Sequence, residues 1–236
     1  MESLHQASIK VGLEMNLTKT KTMTNNSWKT PIIINGEPLE QVEKYIYLGK
    51  LISFNKNSNL LEIERRVQLT WNKYWLLKEI FKSNMTIDIK TQVMNSSLLP
   101  CLTYGCHTWK FTTKAANKIS TCQRGLERSM LNIKIIEKIR HTKIRKTTKA
   151  TDALIHARKL KWKWAGHVVR STDQRWTTRV TSWSGPPGRR SRGRPLTRWE
   201  DDLRRTAGPD WRDVAQDRDT WASLEEAFTQ TGVLAD

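Results

Sequence analysis

The sequence is poor in cysteine, in acidic residues through its central part and in long hydrophobic runs. Cys101, Cys106 and Cys122 are an odd set without dense spacing, so no disulfide framework is expected and a reducing compartment is favoured. No run of about 18 uncharged apolar residues occurs and no secretory signal is visible, so no membrane span is expected. These absences predict an intracellular protein, nuclear or cytoplasmic, that is not secreted.

Acidic residues are scarcest where basic residues are densest. Residues 134–199 carry 19 lysines and arginines against 3 acidic residues, whereas residues 200–236 carry 4 against 10, and the whole chain has a formal charge of +18. Such an excess repels itself unless a polyanion relieves it, which favours a nucleic-acid partner. A membrane surface is the weaker alternative, because no long basic helix with a broad apolar face is evident.

The first 54 residues have the pattern of one short helix followed by short strands. Residues 2–12 have apolar members at helical spacing and end at Gly12, a residue suited to a helix C-terminus. The threonine-rich run that follows, the run 31–35 and the run 44–53 predict antiparallel strands, the last of them a hairpin bent at Gly49.

Helical periodicity dominates the next part of the chain. Apolar spacing predicts helices over 59–82, 87–98 and 113–131, with Pro100 interrupting the second. The third has a single apolar stripe, formed by Ile119, Cys122, Leu126 and Met130.

The last part of the chain is first basic and then acidic. A short helix over 138–147 and a longer one from Thr151, with Asp152 in its first turn, form a basic region. Acidic amphipathic helices are then predicted over 199–207, with Thr197 as N-cap, and over 211–230. The acidic helices are expected to fold back on the basic region or to bind another protein. The predicted fold class is therefore α+β, mainly α.

Five sequence motifs occur in the order of one known family. The run GLEMNLTKTKTM at 12–23, followed by YIYLG at 45–49, resembles the late palm motifs of reverse transcriptases from non-LTR retrotransposons, particularly RTE-like elements. The runs LLPCLTYGCHTW at 98–109, LKWKWAGHVVR at 160–170 and GRRSRGRPLTRWEDDLRR at 188–205 are similar to the C-terminal region of the same endonuclease-reverse transcriptases. The resemblance covers nearly the whole chain.

The resemblance implies a division of the chain into five parts. Residues 1–54 would be the end of the palm with a primer-grip-like hairpin, and residues 55–132 a helical, thumb-like bundle. Residues 133–183 would be a basic helical region that binds nucleic acid. An Arg/Pro/Gly linker over 184–197 and an acidic helical tail over 198–236 would complete it.

The same resemblance implies roles for residues near the N-terminus. Tyr45, Tyr47, Leu48 and Gly49 correspond to the primer grip, and Lys19 to a lysine near the triphosphate. A solvated lysine on an edge strand is the alternative for Lys19. The family's catalytic aspartates would precede Met1, so Mg²⁺ is implied for the complete parent polymerase, whereas this chain is expected to hold no cofactor and to be inactive alone.

Two other groups of residues invite a metal hypothesis. Asp201 and Asp202 lie in the first turn of a predicted helix, where carboxylates favourably oppose the helix dipole, so a metal site there is rejected. The second group consists of Cys101, Cys106, His107 and Cys122. It lacks a paired second zinc knuckle, and Cys101 and Cys106 are interpreted as small core residues.

The basic helix from Thr151 contains the main nucleic-acid-binding candidates. At about 100° per residue, Ala153, Ala157, Leu160, Trp164 and Val168 form a stripe predicted to face a core. Trp162 lies opposite this stripe, where its ring could stack on a base, although packing against a second helix is an open alternative. With the linker arginines, the predicted binding residues are Arg158, Lys159, Lys161, Trp162, Lys163, His167, Arg170, Arg189, Arg190, Arg192 and Arg194.

Two interpretations of function remain open. The chain is either a C-terminal fragment of an RNA-directed DNA polymerase that binds template and primer but lacks catalytic carboxylates, or a non-enzymatic nucleic-acid-binding or helical protein-interaction module of domesticated or degenerate transposon origin. Expected partners are RNA and DNA, as template–primer or target DNA, with a possible protein partner at the acidic tail and no membrane.

Overall fold

A computed structural model of the protein describes most of the chain, namely residues 2–25, 30–173, 175–183 and 197–230. Helices dominate and the strands are confined to residues 21–53, which confirms the prediction of a mainly helical α+β fold. The chain forms two compact units, residues 1–62 and 63–236. Within the described ranges, no helix is long and apolar enough to cross a membrane.

The described residues of the first unit form one short helix, six short strands and the start of a long helix. In order these are α1 (Glu2–Lys10), β1 (Lys21–Thr22), β2 (Ile33–Ile34), β3 (Glu37–Pro38), β4 (Glu40–Gln41), β5 (Lys44–Tyr47), β6 (Lys50–Ser53) and α2 (Ser58–Leu76), which continues into the second unit. After α1 the backbone turns at Gly12, whose φ of 75° is the left-handed conformation that glycine adopts without steric cost.

The strands pair as three two-stranded sheets in the described part of this unit. The pairs β2–β3 and β5–β6 are antiparallel, as predicted, but β1 pairs with β4 in parallel, with Lys21 opposite Glu40. The antiparallel prediction is wrong for that pair, because the β2–β3 hairpin lies between the two strands and returns the chain in the direction of β1. The Lys21 ammonium bonds the Glu40 carboxylate across the pair.

The second unit is built from helices. After α2 come α3 (Lys78–Lys82), α4 (Ile87–Val93), a π-helical segment (Met94–Leu98), α5 (Leu99–Thr103), α6 (Thr113–Met130), α7 (His141–Thr148), α8 (Ala153–Val169), α9 (Trp176–Ser182), α10 (Asp201–Ala207), α11 (Trp211–Val214), α12 (Arg218–Ser223) and α13 (Glu225–Gln230). Short 3₁₀ turns precede α6, at Cys106–Thr108, and α7, at Ile135–Glu137.

Pro100 does not end its helix. Proline lacks an N–H and its ring crowds the carbonyl four residues earlier, so it normally breaks an α-helix. Here the π-helical segment precedes α5 and changes the hydrogen-bond ladder where Pro100 enters the first turn, so the chain stays helical to Thr103. The predicted interruption therefore affects the ladder and not the path of the chain.

Two hydrophobic clusters fill the second unit. The first core joins α2, the α4–α5 region, α6 and the start of α8, and the predicted stripe of α6 is confirmed because all four of its members are buried. The second core joins the end of α8 to α10–α13 and consists of Trp162, Ala165, Leu203, Trp211, Ala215, Trp221 and Phe228. The acidic segment thus folds back on the basic region, as expected, and α8 belongs to both cores.

One helix boundary in that acidic segment differs from the prediction. The helix expected from Thr197 begins instead at Asp201, and Glu200 takes the N-cap position without a side-chain cap. The Asp201 carboxylate accepts a hydrogen bond from the Arg198 backbone N–H at 2.6 Å, which fixes the turn before the helix.

Candidate nucleic-acid interface

The start of α8 is fixed by a side-chain cap. The Asp152 carboxylate accepts hydrogen bonds from the N–H groups of Leu154 (2.9 Å) and Ile155 (3.0 Å), and it lies 2.9 Å from the Arg145 guanidinium. Burial alone would raise the pKa of Asp152, but these hydrogen bonds and the Arg145 charge outweigh it and hold the pKa below its usual value. The sequence predicts a helix from Thr151 with Asp152 in its first turn, whereas in the structure α8 begins at Ala153 and Asp152 is its N-cap.

Trp162 lies in the second core and is only 1% exposed. Its ring stacks on Trp221, with centroids 3.7 Å apart and planes 3° apart, and each indole N–H donates to the other residue's carbonyl at 2.9 and 3.0 Å. The prediction that Trp162 points outward to stack on a base is therefore wrong. The apolar stripe predicts a single buried face for α8, whereas different parts of the chain cover the helix on two faces.

Two cations of α8 are buried with Trp162. The Lys161 ammonium donates to the carbonyls of Trp109 (3.1 Å) and Trp199 (2.6 Å) and to both Asp202 oxygens (2.8 and 2.7 Å). Burial lowers the pKa of Lys161 and the Asp202 charge opposes that shift. Arg158 is 6% exposed and donates to the Thr229 carbonyl at 3.0 Å. The prediction that these two cations contact phosphate at the surface is wrong, since their charges hold the acidic segment on α8.

The face of α8 that does reach solvent is narrower than predicted. Lys159, Lys163 and His167 are exposed and lie four residues apart, so they share one stripe. Lys159 lies 3.7 Å from the Glu225 carboxylate. Arg170 is half-buried and donates to a main-chain carbonyl of the acidic segment at 2.6 Å.

Two members of the stripe predicted to be buried are not fully covered. Leu160 is 38% exposed, and Trp164 is half-buried between His107 and His167, with ring centroids 5.0 and 5.7 Å away. Ala153, Ala157 and Val168 are buried as predicted. The predicted contacts of Arg189, Arg190, Arg192 and Arg194 lie outside the described residues.

A buried carboxylate positions the shorter basic helix, α7. Glu127 of α6 is fully buried and lies 2.8 Å from the Arg145 guanidinium, 3.3 Å from the His141 imidazole and 3.4 Å from the Thr148 hydroxyl, which donates to it. Burial lowers the pKa of His141 more than the Glu127 charge raises it, so the imidazole is neutral at pH 7. These contacts fix the inner face of α7 to α6 and leave its other side to solvent.

The outer side of α7 and its flanks carry a dense group of exposed positive charges. Five cations are exposed within twelve residues, and none of them forms an ion pair with another described residue: Lys138, Arg140, Lys143, Lys146 and Lys149. None of the binding residues predicted from the sequence lies in this segment. The absence of acidic residues from 138 to 149 is a feature of the sequence that could have indicated this surface.

The primer-grip-like residues form the tip of the β5–β6 hairpin. Tyr47 pairs with Lys50 across a two-residue turn, in which Leu48 and Gly49 have positive φ of 47° and 73°. Positive φ at both positions matches the twist of paired strands, although leucine rarely adopts it. Tyr45, Tyr47 and Leu48 are 40%, 58% and 76% exposed.

Lys19 lies in a turn that Asn16 organises. The Asn16 side-chain oxygen accepts from the Thr18 hydroxyl at 2.7 Å and from the Lys19 N–H at 2.9 Å. The Lys19 side chain is exposed, and its role toward a triphosphate stays a prediction.

The described residues do not fit the Mg²⁺ site of a polymerase. In those residues no group of three or more His, Cys, Asp or Glu side chains could hold a metal ion, and the Asp202 carboxylate is already paired with Lys161. Burial raises the pKa of Cys106 and of Cys122 to about 12, so both thiols stay protonated at neutral pH, as small core residues do.

These features define a mainly helical protein with one exposed basic helix and one basic helix enclosed between two cores. The chain is 32% identical to an uncharacterized transposon-derived protein of Caenorhabditis elegans, over an alignment that covers 95% of this chain and 86% of the relative. It belongs to the family of that protein, which confirms the transposon origin expected from the motifs. No protein-family model matches the sequence, and no solved structure matches it.

Proposed function

We propose that this chain binds RNA or DNA as the non-catalytic C-terminal region of a non-LTR retrotransposon reverse transcriptase. Its relative supports a transposon origin, and the order of its motifs supports the assignment to a reverse transcriptase. The observation that carries the binding proposal is the outer side of α7, where five exposed cations lie without an acidic neighbour that pairs with them. The proposal places the protein in the nucleus or cytoplasm, where template and target nucleic acids are found.

Contacts to phosphate explain this surface better than base recognition does. Lysine is a flexible point charge, and a row of lysines neutralises the backbone without reading base edges. On the exposed stripe of α8, Lys163 offers a further lysine of the same kind, whereas the neighbouring Lys159 lies 3.7 Å from the Glu225 carboxylate. Binding would therefore be strong at low salt and tolerant of sequence.

The hairpin tip adds a second binding surface in this proposal. Its exposed Tyr45 and Tyr47 and the tight turn at Gly49 present rings and backbone to solvent, as a primer grip requires. Catalytic carboxylates would come from elsewhere in the parent polymerase, so primer extension on an RNA template by this chain alone is expected to fail. Robust synthesis would contradict the non-catalytic assignment.

The alternative of a protein-interaction module has less support. A helical tail that binds a partner presents apolar anchors to it, but Trp211, Trp221 and Phe228 are buried in the second core.

The binding proposal is tested by titrating duplex DNA and RNA at several salt concentrations. The measured quantity is the slope of the logarithm of the binding constant against the logarithm of the salt concentration, called here the salt slope. In the variant Lys143→Gln/Lys146→Gln the magnitude of this slope should fall by about 0.9 for each phosphate that the protein no longer neutralises. Both side chains are exposed, so the free energy of unfolding should stay within about 0.5 kcal/mol of the parent value.

The matched control removes two exposed lysines elsewhere. Lys10→Gln/Lys56→Gln changes the net charge equally and should leave the slope near that of the parent protein. Equal slopes for both double variants would mean that α7 is not the binding surface, and binding that ignores salt would remove the proposal altogether.

A further inference from the structure

Helix α9 presents an uncovered aromatic face. Trp176 and Val180 of α9 are 76% and 63% exposed, and Trp183, the C-cap that follows the helix, is 64% exposed. Their spacing of four and seven residues places the three side chains near one side of the helix. Two tryptophans this exposed at the two ends of one short helix are uncommon, because each leaves a large apolar ring in water, and such a patch marks an interaction site.

Arginine side chains accompany these rings. The Arg179 guanidinium lies 5.6 Å from the centre of the Trp176 ring, and both Arg179 and Arg198 are exposed. Neither arginine forms an ion pair with another of the described residues. A ring beside an unneutralised guanidinium suits a ligand that combines a flat apolar group with a nearby anion.

A cavity continues this face toward the start of α10. It measures about 380 Å³ and is lined by the rings of Trp183 and Trp199 and by Lys110, Arg198 and Glu200, among others. The Trp199 ring is held in place, because its N–H donates to the His107 carbonyl at 2.7 Å. Glu200 is neutralised by Arg204 at 3.2 Å and Arg212 at 2.8 Å, so the cavity does not repel an anion.

We propose that α9 and this cavity bind unpaired nucleotides of a single-stranded nucleic acid. Trp176 and Trp183 stack on bases, and Arg179 and Arg198 contact the phosphates between them. At the helical rise per residue, the backbone positions of Trp176 and Trp183 lie about 10 Å apart along the axis, a spacing that successive or alternate bases of an extended strand can span. This proposal rests on the proposed function, but it assigns a separate site that distinguishes single strands from duplexes.

Charge and shape favour a single strand over other ligands. A duplex hides the faces of its bases inside the stack, whereas an unpaired base exposes a face to a ring. A protein partner would need acidic groups beside its apolar contacts, and a second copy of this chain would bring its own positive charge to the site.

The test compares oligothymidylate with a mixed-sequence duplex, by fluorescence anisotropy of the labelled nucleic acid. In the variant Trp176→Ala/Trp183→Ala the affinity for oligothymidylate should fall at least about tenfold, because neither base keeps a ring to stack on. The affinity for duplex should change by less than about twofold. Trp75→Ala, which removes a 51% exposed tryptophan of α2, is the matched control and should leave both affinities unchanged.

Conservative variants and a structural check complete the design. Trp176→Phe/Trp183→Phe keeps flat rings and should retain most of the single-strand affinity. Thermal melting should show that the alanine variant folds like the parent, since both side chains are exposed.

Unchanged oligothymidylate affinity in the folded alanine variant would overturn the stacking site. If duplex binding and its dependence on Lys143 and Lys146 persisted, the proposed function would stand without this site. If the parent protein bound neither nucleic acid, both proposals would be overturned. A fall in oligomeric state of the alanine variant with no change in binding would assign the face to a second copy of this chain instead.

Discussion

Helices α7 and α8 are both rich in lysine and arginine, but α7 exposes its lysines whereas α8 buries two of its cations and exposes others. The lysines of α7 are exposed, and its one inward cation, Arg145, is paired with Glu127 and Asp152. In α8, Arg158 and Lys161 are buried and hold the acidic segment through a carboxylate and main-chain carbonyls. Cation density alone therefore does not identify a nucleic-acid surface.

The difference arises from what covers each helix. Helix α7 contacts the protein along one face, through Ile144 and the hydrogen bonds and ion pairs of Glu127. Helix α8 packs against the first core with Ala153 and Ala157 and against the second core with Trp162 and Ala165. A lysine on a helix with two covered faces needs a buried acceptor, which Asp202 provides.

The largest effect on stability is expected at Trp162. Trp162→Ala removes a ring stacked at 3.7 Å and leaves the Trp221 carbonyl without its donor, so the free energy of unfolding should fall by about 3–5 kcal/mol. Urea denaturation measures this decrease, and the half-buried Trp164 gives the comparison, since Trp164→Ala should cost less. A larger decrease at Trp164 than at Trp162 would mean that α8 is oriented differently.

Replacing the buried lysine should cost nearly as much. Lys161→Met leaves the Asp202 carboxylate and two carbonyls without their shared donor, so a decrease of about 3–5 kcal/mol is expected in the same measurement. Lys159→Met, an exposed change in the same helix, should stay within about 0.5 kcal/mol.

Replacing the Asp202 carboxylate as well tests whether its unpaired charge causes the loss of stability in Lys161→Met. Lys161→Met/Asp202→Leu removes both charges together and should recover part of the stability. A double variant less stable than Lys161→Met would show that the pair itself is not the cause.

A smaller decrease in the free energy of unfolding is expected at Gly166, where the Trp221 ring packs against α8. A Cβ at Gly166 would lie 2.6 Å from the Trp221 indole nitrogen, and that ring cannot move without breaking its stack on Trp162. Gly166→Ala should therefore destabilise the protein by about 1–3 kcal/mol. Alanine is the better helix former by about 1 kcal/mol, so an increase in stability on thermal melting would contradict this packing.

The smallest of these effects concerns the cap that begins α8. Asp152→Ala removes the acceptor for two backbone N–H groups and should cost about 0.5–2 kcal/mol at neutral pH, while Asp152→Asn keeps an acceptor and should cost less. Because the folded pKa of Asp152 lies below the unfolded value, its stabilisation is full above about pH 4 and is lost as the pH falls through the folded pKa.

Urea titrations of parent and Asp152→Ala proteins across this pH range provide the check. The difference between the two should narrow as the pH falls below about 4. A difference that stays constant would mean that the Asp152 charge does not contribute.

Patterns within one element predicted the fold well. The stripe of α6, the hairpin turn at Gly49 and the return of the acidic segment to the basic region are all present. Each depends on residues within a few positions of one another, or on an excess of charge that the composition already shows.

Apart from the start of the helix predicted from Thr197, the predictions that went wrong were those that needed the identity of a distant neighbour. Trp162 was assigned to solvent because a second core could not be inferred from the helix itself, and its partner Trp221 lies 59 residues away in sequence. The parallel pairing of β1 with β4 likewise depended on where an intervening hairpin sends the chain.

For this protein the sequence alone determined most of the helices, the excess of positive charge and a transposon origin supported by a relative. The tertiary structure decided which positive charges reach solvent. The periodicity of apolar residues indicates which faces of a helix can be buried. Which faces are buried depends on the segments, distant in sequence, that pack against the helix. Lys161 and Lys143 look alike in the sequence, but an acidic helix lies over the first and none of the described residues pairs with the second.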